Sequence, residues 1–329
     1  MHIPDGLMDP SVAMIGWIEF LVVLAGVMLL SRDRIKEKNL PRVAVLSAGI
    51  FVAQMLNFPI GGGTTGHLVG GALFAIIAGP MVAVIGMTVV LLIQGLLFGD
   101  GGITALGLNG LNMAVIAPLT GWGVYTLLKP LTEKTGSAGR VASGLVVGAA
   151  AWASVFVAAA TCAAELSVSY AVSSGAYGIA APVSVPAMLG VHAIIGVGEG
   201  IITAGVFVYL CSVSPGAITL DSPTKKVLPG LVGLISSSTA KAVVAIIVVF
   251  ALALPLYFLY SSAGKDGLEK AMENANVAER EPLMASPFSY GENYFSALFA
   301  GILGFLAVAL AAMGVLKLVR VRAGRDTNP

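Results

Sequence analysis

The chain has 329 residues, 57% of them hydrophobic and 11% charged, with a mean hydropathy of +0.93 and a formal net charge of +1. Soluble domains carry about 25% charged residues, so a soluble enzyme is excluded, as is a disordered chain, which needs low hydropathy and high charge. The near-zero net charge leaves no basic field for nucleic acid, and two cysteines, Cys162 and Cys211, both in apolar runs, exclude a disulfide framework or an all-cysteine metal site.

Runs of about 20 apolar residues predict membrane-spanning helices. Taken in order they lie near 11–31, 42–57, 66–79, 81–98, 106–128, 141–166, 185–213, 242–262 and 293–316. The expected fold is therefore an all-α polytopic membrane bundle of about nine spans. The third run is short and shares an uncharged turn at Pro80 with the fourth. With nine spans, fifteen of the eighteen Lys and Arg residues fall on one face, and only Lys265, Lys270 and Arg280 fall on the other. Positive charge marks the cytoplasmic side, which puts the N-terminus outside and the C-terminus inside a multi-pass protein of the cell membrane. No positive charge precedes Arg32, so the first run does not have the layout of a cleaved signal peptide, and Met1 is expected to remain the start.

Composition divides the chain into a dense membrane domain, 1–213, a Ser/Pro/Gly-rich cytoplasmic linker, 214–241, and a two-helix module, 242–329, around a polar outer segment, 263–292. Glycines four apart at Gly66/Gly70, Gly144/Gly148 and Gly196/Gly200 suit close helix packing.

Of three histidines, His2 and His67 fall on the outer side of this topology. A histidine at position two has a chelating geometry. The Met1 amine and the His2 backbone nitrogen close a five-membered ring on a metal, and the backbone and ring nitrogens of His2 close a six-membered one. A fourth nitrogen from elsewhere completes a square. Planar nitrogen coordination suits Ni(II) or Cu(II), whereas Zn(II) prefers a tetrahedron, and Co(II) is the next candidate. Pro4 and Gly6 are placed to turn the peptide back into the bundle. Gln54, Asn57, Gln94, Asn109 and Asn112 cluster toward the outer ends of their spans. Asn57 and Asn112 are the first choices to orient the histidines. Glu19, His192 and Glu199 are ionisable groups within spans, costly there and expected to face the interior as coupling points. The glycine-rich stretches 61–63 and 99–102 lack the Lys-Ser/Thr of a phosphate loop.

Four separated motifs resemble the CbiM/NikM family. They are Met1-His-Ile-Pro-Asp-Gly6, Gly66-His67-Leu, Phe98-Gly-Asp-Gly-Gly-Ile-Thr-Ala-Leu-Gly107 and Gly190-Val-His192-Ala-Ile-Ile-Gly-Val-Gly-Glu199-Gly. The family comprises substrate-specific membrane subunits of energy-coupling-factor transporters for cobalt and nickel. The similarity covers about residues 1–213. Residues 242–329 resemble the small N subunit of the same systems, and Lys265-Asp-Gly-Leu-Glu269 matches its Pro-Asp-Gly-Leu-Glu motif except at the first position. The resemblance implies Met1, His2 and His67 as metal ligands, Ni(2+) or Co(2+) as transported substrate and no organic cofactor. It also implies a transmembrane coupling subunit and cytoplasmic ATPase subunits as partners. The chain itself carries no ATP-binding motif, and no clustered acid, base or nucleophile set that would make it an enzyme. Two rival readings stand beside this one. One is a proton-coupled secondary metal-ion transporter with Glu19, His192 and Glu199 as its relay. The other is a metal-binding sensor or structural membrane protein that does not transport.

Overall fold

The computed structural model describes residues 1–32, 35, 37–61, 64–132, 139–213, 237–260 and 264–325. Up to residue 236, the linker expected at 214–241 lies outside the described residues, as do Arg34, Lys36, Lys134, Lys225 and Lys226.

The first helix, α1 (Pro10–Ser31), starts where the Asp9 side chain accepts from the Ser11 N–H and Pro10 occupies the first turn. Most of its span faces outward as bare hydrophobic surface, including Ile15, Ile18 and Val22. After α2 (Leu40–Gln54) the chain forms an antiparallel hairpin of β1 (Phe58–Gly61) and β2 (Thr64–Gly66), with Phe58 opposite Gly66 and Pro59 opposite Thr65. Next come α3 (Gly71–Ala78) and α4 (Pro80–Ile93), separated by Gly79 at φ +87°. A π-helical segment, Gln94–Phe98, extends α4 until Gly99, at φ +69°, ends it. The short α5 (Leu106–Asn109) leads through a second π segment, Gly110–Ile116, into α6 (Ala117–Leu128).

Two long helices follow, α7 (Gly139–Val172) and α8 (Ala181–Val213). They pack against each other through glycine: a Cβ on Gly200 would stand 2.8 Å from the Gly148 carbonyl oxygen. The last elements are α9 (Ser237–Tyr260), α10 (Gly267–Asn274) and α11 (Tyr294–Arg325). Phe250 of α9 and Phe305 and Val308 of α11 join Ala48 and Phe51 of α2 in one buried cluster. The two-helix module is thus packed on the bundle.

Among the described residues seven helices are long and apolar enough to cross a membrane, and Leu40–Gln54 is a shorter apolar helix. The count of nine spanning helices is not reproduced among the described residues: the run at 42–57 forms the shorter helix Leu40–Gln54, and no spanning helix forms at 66–79. That stretch holds only the eight residues of α3, roughly 12 Å of helix, preceded by non-helical backbone. Apolar composition predicted a span there, but Gly66, Gly70 and Gly71 disfavour helix. Unpaired backbone at that depth is tolerated only where protein groups satisfy it. Those groups are polar side chains of α2 and α8, described below.

Candidate metal centre

Residues 1–9 thread into the end of the bundle where α1 begins, with Met1, Ile3, Leu7 and Met8 buried. The Ile3 N–H donates to Asn109 Oδ1 at 2.8 Å. The Ile3 carbonyl accepts from Asn109 Nδ2 at 3.1 Å and from the Gly102 N–H at 2.8 Å. Asp5 Oδ1 accepts from the N–H and hydroxyl of Thr104, and its Oδ2 accepts from the Leu283 N–H at 2.9 Å. Burial pushes the Asp5 carboxyl upward, but these donors outweigh it and hold it below the usual range. Gly6 makes the turn at φ +73°, and Gly102 permits the close approach, since a Cβ there would collide with the Asp5 backbone.

This threading sets His2 against His67, which follows β2. The two imidazoles stack with centroids 5.1 Å apart and planes 29° from parallel. His2 Nδ1 lies 3.1 Å from Asp100 Oδ1, and its Nε2 lies 3.3 Å from Gln94 Oε1. Asp100 in turn accepts from the Tyr290 hydroxyl at 2.9 Å. His67 Nδ1 donates to the Leu68 carbonyl at 2.9 Å, which leaves Nε2 to carry the lone pair. The Met1 amine donates to Asp266 Oδ2 at 3.4 Å. Asp266 Oδ1 meanwhile caps α10, accepting from the Leu268 and Glu269 N–H groups at 2.8 Å each.

Burial pushes the His67 imidazole down to about 4, helped by the amine and His2 and opposed by Asp100. Burial lowers His2 as well, again against the pull of Asp100. Both rings are therefore neutral at physiological pH, the form that binds a metal. Burial works against ionisation of Asp266, but the amine and the α10 amides outweigh it and hold the carboxyl below its ordinary range. Burial and the Asp100 charge raise Tyr290, which stays a donor.

A cavity of about 10 Å³ lies between Met1, His67, His192, Asp266 and Gly267, close to the least volume that holds one water. Among the described residues no three His, Cys, Asp or Glu side chains form a metal-holding cluster.

Met1, His2, His67 and His192 are brought to one place. His192 Nδ1 donates to the Met188 carbonyl at 2.8 Å, and its ring lies against Gly267. Glu199 is buried one level deeper on α8, accepting from the Val69 and Gly70 N–H groups at 2.7 Å each. Glu19 sits on the exposed face of α1. Among the described residues no hydrogen bond joins Asn57 or Asn112 to either histidine. Asn57 is half-buried ahead of β1, and Asn112 Nδ2 donates to Glu165 Oε2 on α7 at 2.6 Å. Gln94 and Asp100 touch His2 instead, and Asn109 holds Ile3.

Sequence reasoning also missed Asp100, Asp266 and Tyr290 as neighbours of the site. Asp266 carried a signal, since Asp-x-x-Glu at 266–269 is a capping-box pattern, but the pattern announces a helix start and not a contact with residue 1.

The family described as cobalt uptake substrate-specific transmembrane region, CbiM, matches residues 2–217. A putative fused nickel transport protein NikMN of Archaeoglobus fulgidus is 34% identical over 331 residues, covering 97% of this chain and 99% of its own length. A putative metal transport protein of Haloquadratum walsbyi is 41% identical over 218 residues, 66% of this chain and 93% of that protein. A crystal structure of a truncated transition metal transporter superposes with a TM-score of 0.58 at 35% identity, over 64% of this chain and 99% of that one. The chain belongs to the CbiM family of substrate-specific transmembrane regions, and it is a metal-transport component of the membrane rather than an enzyme.

Proposed function

We propose that this chain captures Ni(II), or in second place Co(II), at the outer face of the membrane. The ligands are the Met1 amine, the backbone and ring nitrogens of His2, and His67 Nε2. The observation that carries the reading is the juxtaposition of the buried Met1 amine with the two stacked imidazoles of His2 and His67. In the chelate, His2 Nδ1 leaves Asp100 for the metal. Gln94 Oε1 then accepts from His2 Nε2–H and fixes the ring, as ligating imidazoles require. The relatives named for nickel and the family described for cobalt uptake fit this donor set, and ligand nitrogens rank Ni(II) above Co(II).

Uptake is driven by ATP hydrolysis on separate cytoplasmic ATPase subunits, coupled through a transmembrane partner. The module 242–329 serves the site through its outer segment. Gly264 and Lys265 pair with Thr65 of the hairpin, Asp266 holds the amine, and the Phe288 N–H donates to the Leu97 carbonyl. The outer segment, from residue 264 to 292, in this reading covers the site and controls access to it. Two observations weigh against the proton-coupled alternative: both Glu199 oxygens accept from amides, and Glu19 faces outward.

The test is a one-residue uncleavable extension before Met1, with metal content and the d–d spectrum read on purified protein. The unextended chain is expected to hold one nickel with a diamagnetic square-planar band, and the extended chain none. An extended chain that binds and transports normally overturns the chelate. Uptake by the chain alone in proteoliposomes under a pH step would move the energy source from ATP to protons.

A further inference from the structure

The segment 67–70 carries His67 across the depth where a helix was expected, and its position must be set by something other than helical hydrogen bonds. We propose that Glu199, assisted by Gln54, is the clamp that positions His67 in the metal centre. This inference rests on the reading of His67 as a ligand.

A helix leaves its first amides without partners, and α3 has no side-chain cap of its own, because its N-cap is Gly70 in the left-handed region at φ +76°. Glu199 supplies the missing acceptors from another helix. Its Oε2 accepts from the Val69 N–H and its Oε1 from the Gly70 N–H, both at 2.7 Å. Each oxygen serves one amide, the two-point arrangement that fixes direction as well as distance. From the opposite side, Gln54 Nε2 of α2 donates to the Val69 carbonyl at 2.7 Å. Val69 is therefore gripped at both its N–H and its carbonyl, two residues beyond His67. The hold extends to the imidazole through the Leu68 carbonyl, which takes the His67 Nδ1 proton and leaves Nε2 for the metal.

The clamp has a rigid mount. Glu199 and Gln54 are 0% and 2% exposed. Gly200, the neighbour of Glu199, lies against the Gly148 carbonyl of α7, so α8 has no slack there. Among the described residues Gln54 Oε1 has no hydrogen-bond partner, and the side chain is held by its bond to Val69. Among the described residues the hydrogen bonds of Glu199 go to the Val69 and Gly70 amides and not to a histidine ring, so its effect on the metal passes through backbone.

Glu199→Gln keeps the shape but sets an NH2 group against one of the two amides. Ni(II) affinity of the purified full chain is expected to fall 10- to 100-fold, the range found when groups that orient metal ligands are removed. The discriminating measurement is a double-mutant cycle with His67→Ala. With His67 gone, Glu199→Gln is expected to change the residual affinity at residues 1 and 2 by less than twofold. An equal loss in both backgrounds overturns the clamp, because it would mean a general effect on the fold. Wild-type affinity in Glu199→Gln, with His67→Ala still impaired, also overturns it alone. Wild-type affinity in His67→Ala removes the ligand assignment and the clamp together. Should Glu199→Gln not yield folded protein, the same cycle with Gln54→Leu reads the clamp from its other side, with a loss nearer tenfold expected.

Discussion

Two regions of this bundle solve the same problem in opposite ways. Along α7 and α8, runs of 34 and 33 residues, nearly every backbone group is paired within its own helix, and side chains are left to pack. At the end where the chain begins, residues 1–9, 67–70 and 99–105 are not helical, and side chains take up several of their backbone groups: Asn109 for Ile3, Asp5 for Thr104, Glu199 for Val69 and Gly70. The regular region gives stiffness. The irregular region gives directed nitrogens, because only backbone freed from a helix can bring a terminal amine and two imidazoles from positions 1, 2 and 67 to one point.

The largest expected effect breaks that contrast at its centre. His2→Ala and His67→Ala should each lower nickel affinity more than about 100-fold, exceeding the loss from removing groups that merely orient ligands. Both should leave the metal-free thermal transition within a few degrees of wild type. Equilibrium dialysis with metal analysis reads the first, and a melt in detergent reads the second.

Acidification separates the regions next. The His67 proton affinity is depressed to about 4 from an ordinary 6.5, so below pH 6.5 the unfolded chain takes up a proton that the folded site refuses. The stability this group contributes is complete above pH 6.5 and is lost as pH falls toward 4. The slope is at most about 1.4 kcal/mol per unit, or roughly 3 kcal/mol over the window. His2 is lowered in the same direction and adds to it. His67→Gln should flatten the slope in part, and a melt series between pH 7 and 4 checks it. Bound nickel should weaken across the same range as protons compete for its ligands.

How much of this was legible follows from the same contrast. The long regular helices were legible, because apolar length reports directly on a helix that pairs its own backbone. The stretch 66–79 misled, because hydropathy is blind to where amides find partners, and Glu199, which supplies them, lies 129 or 130 residues away in the chain. The meeting of His2 with His67 was legible from their shared face and from the rarity of histidine. The pair's orienting groups were not. A choice of Asn112 rests on its place toward the outer end of its span, but it lies in a π segment, Gly110–Ile116, and its side chain donates to Glu165 of α7 instead. Asp100 and Asp266 sit in loops, where no periodicity says which neighbour they will meet.

A smaller effect sharpens the regular side. Gly200→Val should crowd the Gly148 carbonyl and cost about 1–3 kcal/mol, the usual range for overpacking. Its effect on nickel affinity should be well below that of Glu199→Gln, one residue earlier. A comparable loss of affinity would mean that helix packing, and not the hydrogen bonds of Glu199, governs the site.

The smallest effect concerns Asp266, where the two-helix module meets the first residue. Its Oδ1 caps α10 and its Oδ2 lies 3.4 Å from the amine, so one carboxylate does two separable jobs. Asp266→Asn keeps a good capping oxygen and removes the charge, whereas Asp266→Ala removes both, and a lost cap costs about 0.5–2 kcal/mol. The carboxylate attracts a dication more strongly than the single charge of the ammonium it replaces, so its loss should weaken nickel binding. The expected loss is a few-fold, no more than about tenfold, and similar in Asn and Ala. The thermal transition should fall in Ala alone. If Asn binds nickel as tightly as wild type while Ala does not, the module acts on the site by holding α10 in place, and the charge at residue 266 is incidental.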